Sequence, residues 1–212
     1  VESFDTLIHQ YNTYFFDLWG VVYDGNSVFL EFLSVLSRLR QHNKTIKFLS
    51  NSPRRSVVSQ SRLAKCGLNL DLDEIVTSGE YFAHLVSTQE YKDKKFFLIG
   101  DDDTVIEGFD IAMTDVLSNA DYVLIALCAQ TQDLGKWKSV MKDAVDRGIQ
   151  ALCLNPDIEV FQGQTKLYTP GYYSKHYENF GGEVIYFGKP HKPVYDFVLS
   201  KVNSAGGVLV IG

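Results

Sequence analysis

Three polar signals stand where apolar runs end, and together they could hold and attack an oxyanion such as a phosphoryl group. The first is Asp17, in Tyr14-Phe15-Phe16-Asp17-Leu18-Trp19-Gly20-Val21-Val22. A buried strand that ends in a carboxylate and then turns at a glycine delivers that carboxylate to the carboxyl edge of a sheet, where open α/β folds place their ligands. Asp17 is therefore the candidate nucleophile. The second signal is Ser50-Asn51-Ser52, after the apolar run 46–49, and the third is Gly188-Lys189-Pro190, after 184–187. A carboxylate, a hydroxyl with main-chain amides at a helix start, and a lysine suit nucleophilic attack on an anionic centre. Each residue also has an ordinary role. Ser50 or Ser52 can cap a helix that has Pro53 in its first turn, Lys189 can be a solvated surface residue, and Asp17 can cap a turn.

These groups need a scaffold that brings strand ends together. Short β-rich runs at 14–16, 47–49, 74–77, 96–99, 122–126, 151–154, 183–186 and 208–211 alternate with longer helical patterns. That rhythm predicts parallel sheets with crossover helices, an α/β fold. Helical spacing is clearest in Phe29, Leu30, Phe32, Leu33, Leu36 and Leu39, and in Trp137, Val140, Met141, Ala144 and Val145, which stops at Arg147-Gly148. There is no long linker, so domain crossings must be short. They are expected near Thr77-Ser78-Gly79-Glu80 and Thr169-Pro170-Gly171, isolating a middle segment with three strands.

Composition narrows the partners. Across 212 residues, 26 acidic and 20 basic side chains give a net charge of -6. The basic clusters, such as Pro53-Arg54-Arg55, are short and lack aromatic neighbours, which argues against nucleic acid as a partner. Cys66, Cys128 and Cys153 form no CxxC pair, and this odd count suits a reducing, cytoplasmic setting. No apolar run reaches the roughly 18 residues of a membrane span, and the first residues do not resemble a signal peptide. Homo-oligomerisation is compatible with the sequence. The five histidines show no ligand spacing for zinc, and Asp101-Asp102-Asp103 reads as a solvated turn and helix start. A dinucleotide-binding domain is excluded by the lack of a G-x-G-x-x-G after a strand.

In this order, Asp17, Ser50-Asn51 and Gly188-Lys189-Pro190-His191 resemble the haloacid dehalogenase superfamily of hydrolases. The region between them resembles the class IIA cap, through Thr77-Ser78-Gly79-Glu80, Phe97-Leu98-Ile99-Gly100, Asn155-Pro156-Asp157 and Gly181-Gly182-Glu183-Val184. The resemblance implies a Rossmann-like parallel-sheet core built from 1–80 and 178–212, with an inserted α/β cap at 81–177. It implies that Asp17 attacks phosphorus to form an aspartyl-phosphate, that Ser50 and the Asn51 amide hold a phosphoryl oxygen, and that Lys189 neutralises charge. Mg²⁺ would be held by Asp17, by the main-chain carbonyl of Trp19, and by acids of a fourth motif that normally follows a strand like 208–211. That motif is absent from the sequence, and a chain that begins at Val1 has lost its initiator methionine or is a fragment. Asn155 and Asp157 would belong to the cap and its substrate. The implied substrate is a small phosphorylated metabolite.

One departure bears on mechanism. Phosphatases of this superfamily carry a second Asp two residues after the nucleophile as general acid and base, and here that position is Trp19, whose indole only donates. General acid–base help is typically worth about 10²–10⁴-fold, so poor leaving groups should suffer most. Asp24 is a candidate substitute proton carrier, although Asp24-Gly25 also reads as a turn. Two alternatives follow: a catalytically weak or inactive protein that binds a phosphorylated ligand, and, from the aromatic residue that 2-haloacid dehalogenases carry at this position, a carbon–halogen hydrolase. The latter resemble a different cap class. Leu127-Cys128-Ala129 stands where relatives often show an acid, and Trp137 near a usual tyrosine.

Overall fold

The computed structural model describes residues 4–88, 90–126, 134–162, 164–203 and 205–212, so Leu127-Cys128-Ala129 lies outside the described residues. In chain order the first elements are α1 (Phe4–Gln10), β1 (Thr13–Asp17), α2 (Leu30–Gln41), β2 (Thr45–Ser50), α3 (Ser56–Lys65), β3 (Ile75–Thr77), α4 (Ser78–Ser87), β4 (Lys95–Ile99) and β5 (Ala112–Met113). They are followed by β6 (Tyr122–Ile125), α5 (Trp137–Asp146), β7 (Gln150–Cys153), β8 (Glu159–Gln162), β9 (Thr165–Tyr168), α6 (Pro170–Asn179), β10 (Val184–Tyr186), α7 (Lys192–Leu199) and β11 (Val208–Ile211). All eight expected strands are present with ends within two residues. The two- to four-residue strands β5, β8 and β9 are additional. No described helix is long and apolar enough to cross a membrane.

The chain divides into two compact α/β units. One comprises Val1–Ser50, Ser56–Val76 and Tyr195–Gly212; the other comprises Asn51–Arg55 and Thr77–Val194 and is inserted into the sequence of the first. The expected boundary at 177/178 falls inside the second unit, and β10 pairs with β7 there.

In the first unit the strand order is β11-β1-β2-β3. β1 runs parallel to both its neighbours, with Phe16 opposite Ile211 and Phe48, and Asp17 opposite Leu49. A strand so enclosed is covered on both faces, and Thr13, Tyr14, Phe15 and Phe16 are all buried. Helix α2 turns Phe32, Leu36 and Leu39 inward at spacings of four and three, the stripe of an amphipathic helix. Phe32 meets Phe16 edge to face at 5.2 Å between ring centres, and such a fully buried side chain contributes about 1.5–3 kcal/mol. This packing fixes the strand that carries Asp17. The buried Lys47 of β2 is satisfied by the Asp73 carbonyl oxygen, 2.5 Å from its Nζ.

The second unit has a parallel sheet of order β10-β7-β6-β4-β5 and an antiparallel β8-β9 pair. Successive residues of β6 face opposite sides. Leu124 packs with Phe82, Phe96 and Leu152 in one core, whereas Val123 and Ile125 pack with Trp137, Met141, Ala144, Tyr173 and Tyr177 in another. Helix α4 thus covers one face, and α5 with α6 the other.

Candidate active site

Asp17 is the last residue of β1, where four buried residues give way to a partly exposed carboxylate. The chain passes from β1 to β2 on one side and reaches β11 on the other, so β1 sits at the point where strand order reverses. That crevice, at the carboxyl ends of the strands, is where open α/β sheets bind ligands. Ser50 closes the neighbouring strand β2, one residue beyond the partner of Asp17. Gly212, after β11, approaches from the other side: a Cβ there would lie 3.8 Å from Asp17 Cβ. The Leu18 N–H donates to Asp17 Oδ1 at 2.7 Å and orients the carboxylate.

The loop that follows is closed by its own main chain. Val22 and Tyr23 N–H donate to the Leu18 carbonyl, Gly20 N–H to that of Tyr23 at 2.8 Å, and Phe29 N–H to that of Val22. Within it the Trp19 indole folds over Gly25 and meets Tyr23 edge-on at 5.4 Å. Gly25 has φ +95°, and a Cβ there would stand 2.6 Å from Trp19 Cη2, so glycine is what lets the indole lie flat on the loop. Asp24 is exposed, and its Oδ1 accepts from the N–H groups of Asn26 and Ser27 at 2.9 and 2.8 Å. The Ser27 and Asn26 amides hold its carboxyl below the usual range. It therefore sits as the acceptor of a turn.

Two residues beside Asp17 carry no signal in the sequence. Burial raises the phenol of Tyr23; among smaller causes, Arg62 pulls it back and the charges of Cys66 and Asp17 push it further up. Tyr195, on α7, is likewise raised by burial and then by Asp17. Both present a protonated hydroxyl at neutral pH. One is a loop residue, and the other comes from the far end of the chain.

In the second unit the structure gathers Asn51, Lys189, Asn155 and Asp157. The buried Asn51 carboxamide accepts the Lys189 N–H at 2.7 Å and donates to the Lys189 carbonyl at 3.0 Å and to Asp157 Oδ1 at 2.9 Å. Asn155 Oδ1 accepts the Asp157 N–H at 2.9 Å, and the Asp157 carbonyl takes the Thr169 hydroxyl. Gly188, at φ +120°, has no room for a side chain: its Cβ would lie 2.5 Å from Asn51 Oδ1.

The rest of segment 51–55 is tied down equally firmly. Gly79 N–H donates to the Ser52 carbonyl and the Thr77 hydroxyl to that of Arg54. Arg54 pairs with Asp102 at 2.8 Å, and Arg55 forks onto Glu80 at 2.9 and 3.0 Å. The expected helix at Pro53 is accordingly displaced, and α3 begins at Ser56. Asp102 also caps a short 3₁₀ turn through Thr104, as the turn reading of 101–103 required. His191 stacks flat on Tyr186. No group of three His, Cys, Asp or Glu suited to a metal occurs among the described residues.

Known proteins are similar to this chain in sequence and fold. A sequence profile described as haloacid dehalogenase-like hydrolase covers residues 14–110. Phosphoglycolate phosphatases 1A and 1B of Arabidopsis thaliana chloroplasts are each 28% identical over 123 residues, 57% of this chain and 34% of theirs. The match thus spans about a third of the length of these curated relatives. Among solved structures, a haloacid dehalogenase-like hydrolase from Brucella suis 1330 is 27% identical, with a TM-score of 0.86 over all of this chain and 81% of that one. A glycerol phosphate phosphatase from Mycobacterium tuberculosis, solved with magnesium, shares the fold at 18% identity, with a TM-score of 0.77 over 97% of this chain and 63% of its own.

Proposed function

We propose that this chain is a class IIA member of the haloacid dehalogenase superfamily and carries a phosphatase that cleaves a small phosphorylated metabolite through Asp17. The observation that supports this most is the position of Asp17, the terminal carboxylate of the central strand, beside Ser50 and at the point where strand order reverses. In this reading the first unit forms the catalytic core and the second unit includes the cap that selects the substrate, with Asn155 and Asp157 on the cap side. The cysteines fit a cytoplasmic enzyme, since Cys66 and Cys153 are both free thiols.

Asp17 Oδ attacks phosphorus, the ester P–O bond breaks, and the leaving oxygen takes a proton from solvent water. Water then attacks phosphorus, the acyl-phosphate P–O bond breaks, and Asp17 is restored with release of phosphate. The family resemblance gives Ser50 and the Asn51 main-chain amide the task of steadying the phosphoryl oxygens and Lys189 that of balancing their charge. The donor set fits Mg²⁺, because the Asp17 carboxylate and the Trp19 carbonyl are both hard oxygen ligands and this ion keeps several waters besides. Bound there, it supplies charge neutralisation for the phosphoryl group. Trp19 supplies no proton. Asp24 could do so only by leaving the two amides that hold it ionised. The chemistry is therefore best suited to acyl and aryl phosphates, whose leaving groups need no acid.

A second reading, a phospho-ligand-binding protein without turnover, is favoured by the same Trp19. Hydrolysis of p-nitrophenyl phosphate and acetyl phosphate by the full natural chain, with and without Mg²⁺, separates the two. Metal-dependent turnover that Asp17→Asn abolishes supports the phosphatase. Absence of turnover, with inorganic phosphate still bound by the unsubstituted and Asn forms alike, refutes it in favour of the binder.

A further inference from the structure

We infer that Asn51 is a positioning residue whose side chain sets the direction in which Lys189 presents its ammonium group, with Asp157 holding Asn51 in turn. This rests on the phosphatase reading only for the task it gives Lys189; the grip itself is geometric.

A carboxamide has two N–H donors and one oxygen acceptor with two lone pairs. In Asn51 both donors are engaged, one by the Lys189 carbonyl at 3.0 Å and one by Asp157 Oδ1 at 2.9 Å, while the oxygen takes the Lys189 N–H at 2.7 Å. The orientation is therefore unique. Rotating the amide by half a turn would set a donor against the Lys189 N–H and an acceptor against both a carbonyl and a carboxylate. Asn51 is buried, so these groups have no water to turn to if the contacts are lost.

Both contacts to Lys189 are to its main chain, one on each side of its Cα. Such a two-point hold fixes the plane and direction of the residue without touching its ammonium group. The neighbouring residue is shaped for it: Gly188 lacks the Cβ that would come 2.5 Å from Asn51 Oδ1 and 3.0 Å from Pro156 Cδ. The outer tie is itself anchored, since Asp157 is set by Asn155 Oδ1 and by the Thr169 hydroxyl. The Asn155-Pro156-Asp157 triplet thereby acts on Lys189 through Asn51, a role different from direct contact with substrate.

The test compares the unsubstituted full chain with Asn51→Ala, using p-nitrophenyl phosphate turnover and hydrogen exchange of the Lys189 amide. Expected are a fall of at least tenfold in kcat, a KM within threefold, and at least tenfold faster exchange at Lys189 while the β6 and β7 amides keep their protection. Exchange at Lys189 within twofold of the unsubstituted chain, or an unchanged kcat in a folded variant, overturns the inference. Should Asn51→Ala fail to fold, Asp157→Ala, which removes the outer tie, is expected to lower kcat about threefold and to speed Lys189 exchange, and no change in exchange overturns it. If the unsubstituted chain shows no turnover, the phosphatase reading has failed, and the exchange result alone decides whether Asn51 holds Lys189.

Discussion

Replacing Trp19 with aspartate should restore the missing proton carrier, and its outcome can be worked from the loop. The main chain around position 19 is held by Gly20 N–H to the Tyr23 carbonyl at 2.8 Å and by Val22 N–H to that of Leu18 at 2.9 Å, neither of which uses the indole. The loop should therefore survive Trp19→Asp. What is lost is the edge-on contact with Tyr23 and the cover over Gly25. An aromatic pair contributes about 0.5–1.5 kcal/mol beyond its burial, so a loss of about 1–2 kcal/mol is expected. At about 2–4 °C per kcal/mol for a chain of this size, Tm should fall by about 2–8 °C. Against that, a carboxyl two residues beyond Asp17 can protonate a leaving alkoxide and later activate water. General acid–base catalysis supplies about 10²–10⁴-fold, roughly 3–5 kcal/mol of barrier. The gain should fall on an alkyl phosphate such as glycerol phosphate, with less than about tenfold change for p-nitrophenyl phosphate, whose leaving group needs little help. The assay is the ratio of kcat/KM for the two substrates, measured with Mg²⁺ before and after substitution. A folded variant that still cleaves the aryl ester with that ratio unchanged would refute the reasoning, as would an unsubstituted enzyme that already handles both esters equally.

Gly188→Ala should be among the most damaging single-methyl additions. It combines φ +120°, a region that essentially only glycine occupies, with a Cβ 2.5 Å from Asn51 Oδ1. Strain of about 1–3 kcal/mol and overpacking of similar size give a loss of about 2–6 kcal/mol, and thermal unfolding should show Tm lower by about 4–24 °C; a shift under 2 °C would contradict the close approach. Burial pushes the Cys153 thiol up to about 12. In the folded protein iodoacetamide at pH 8 should then label the partly exposed Cys66 and spare Cys153, as read by mass spectrometry after digestion. The same thiol bears on alkaline stability. Above about pH 9 the unfolded chain releases this proton while the folded chain keeps it, so stability falls as pH rises toward 12, by about 1.4 kcal/mol per pH unit from this group. Urea unfolding between pH 8 and 11 should show that slope, and Cys153→Ser should reduce it.

Much of the fold was legible because its signals are local. A run such as 14–16 must be buried on both faces to be stable, and the carboxylate that ends it cannot share that fate, so strand, direction and edge position follow from five consecutive residues. The α2 stripe of Phe32, Leu36 and Leu39 is readable for the same reason. Strands β5, β8 and β9 were not, and the start of α3 was misplaced because Pro53 and Ser52 are good initiators in isolation. There tertiary bonds prevail over propensity: Arg54 and Arg55 are drawn to Asp102 and Glu80, and the Ser52 and Arg54 carbonyls to Gly79 and Thr77.

The candidate site divides along the same line. Asp17, Ser50 and Lys189 could be picked out because each is an odd residue at the end of an apolar run. The duties of their supports could not. Tyr195 on α7 feels the charge of Asp17, and Trp19 lies on Gly25. Asn51 shows the limit most clearly. Its sequence neighbours suggest a loop amide that waits for a phosphate, yet its side chain is fully engaged by Lys189 and Asp157, more than a hundred residues away. A carboxamide has no pattern that announces its partners, since it can pair with any donor or acceptor that the fold brings near. What the sequence does hold is the complement of that contact: a glycine at 188, immediately before the lysine, where any side chain would strike the Asn51 oxygen. The glycine beside a suspected catalytic residue thus records where a supporting side chain must pass, and Gly25 beneath Trp19 is a second instance of the same relation.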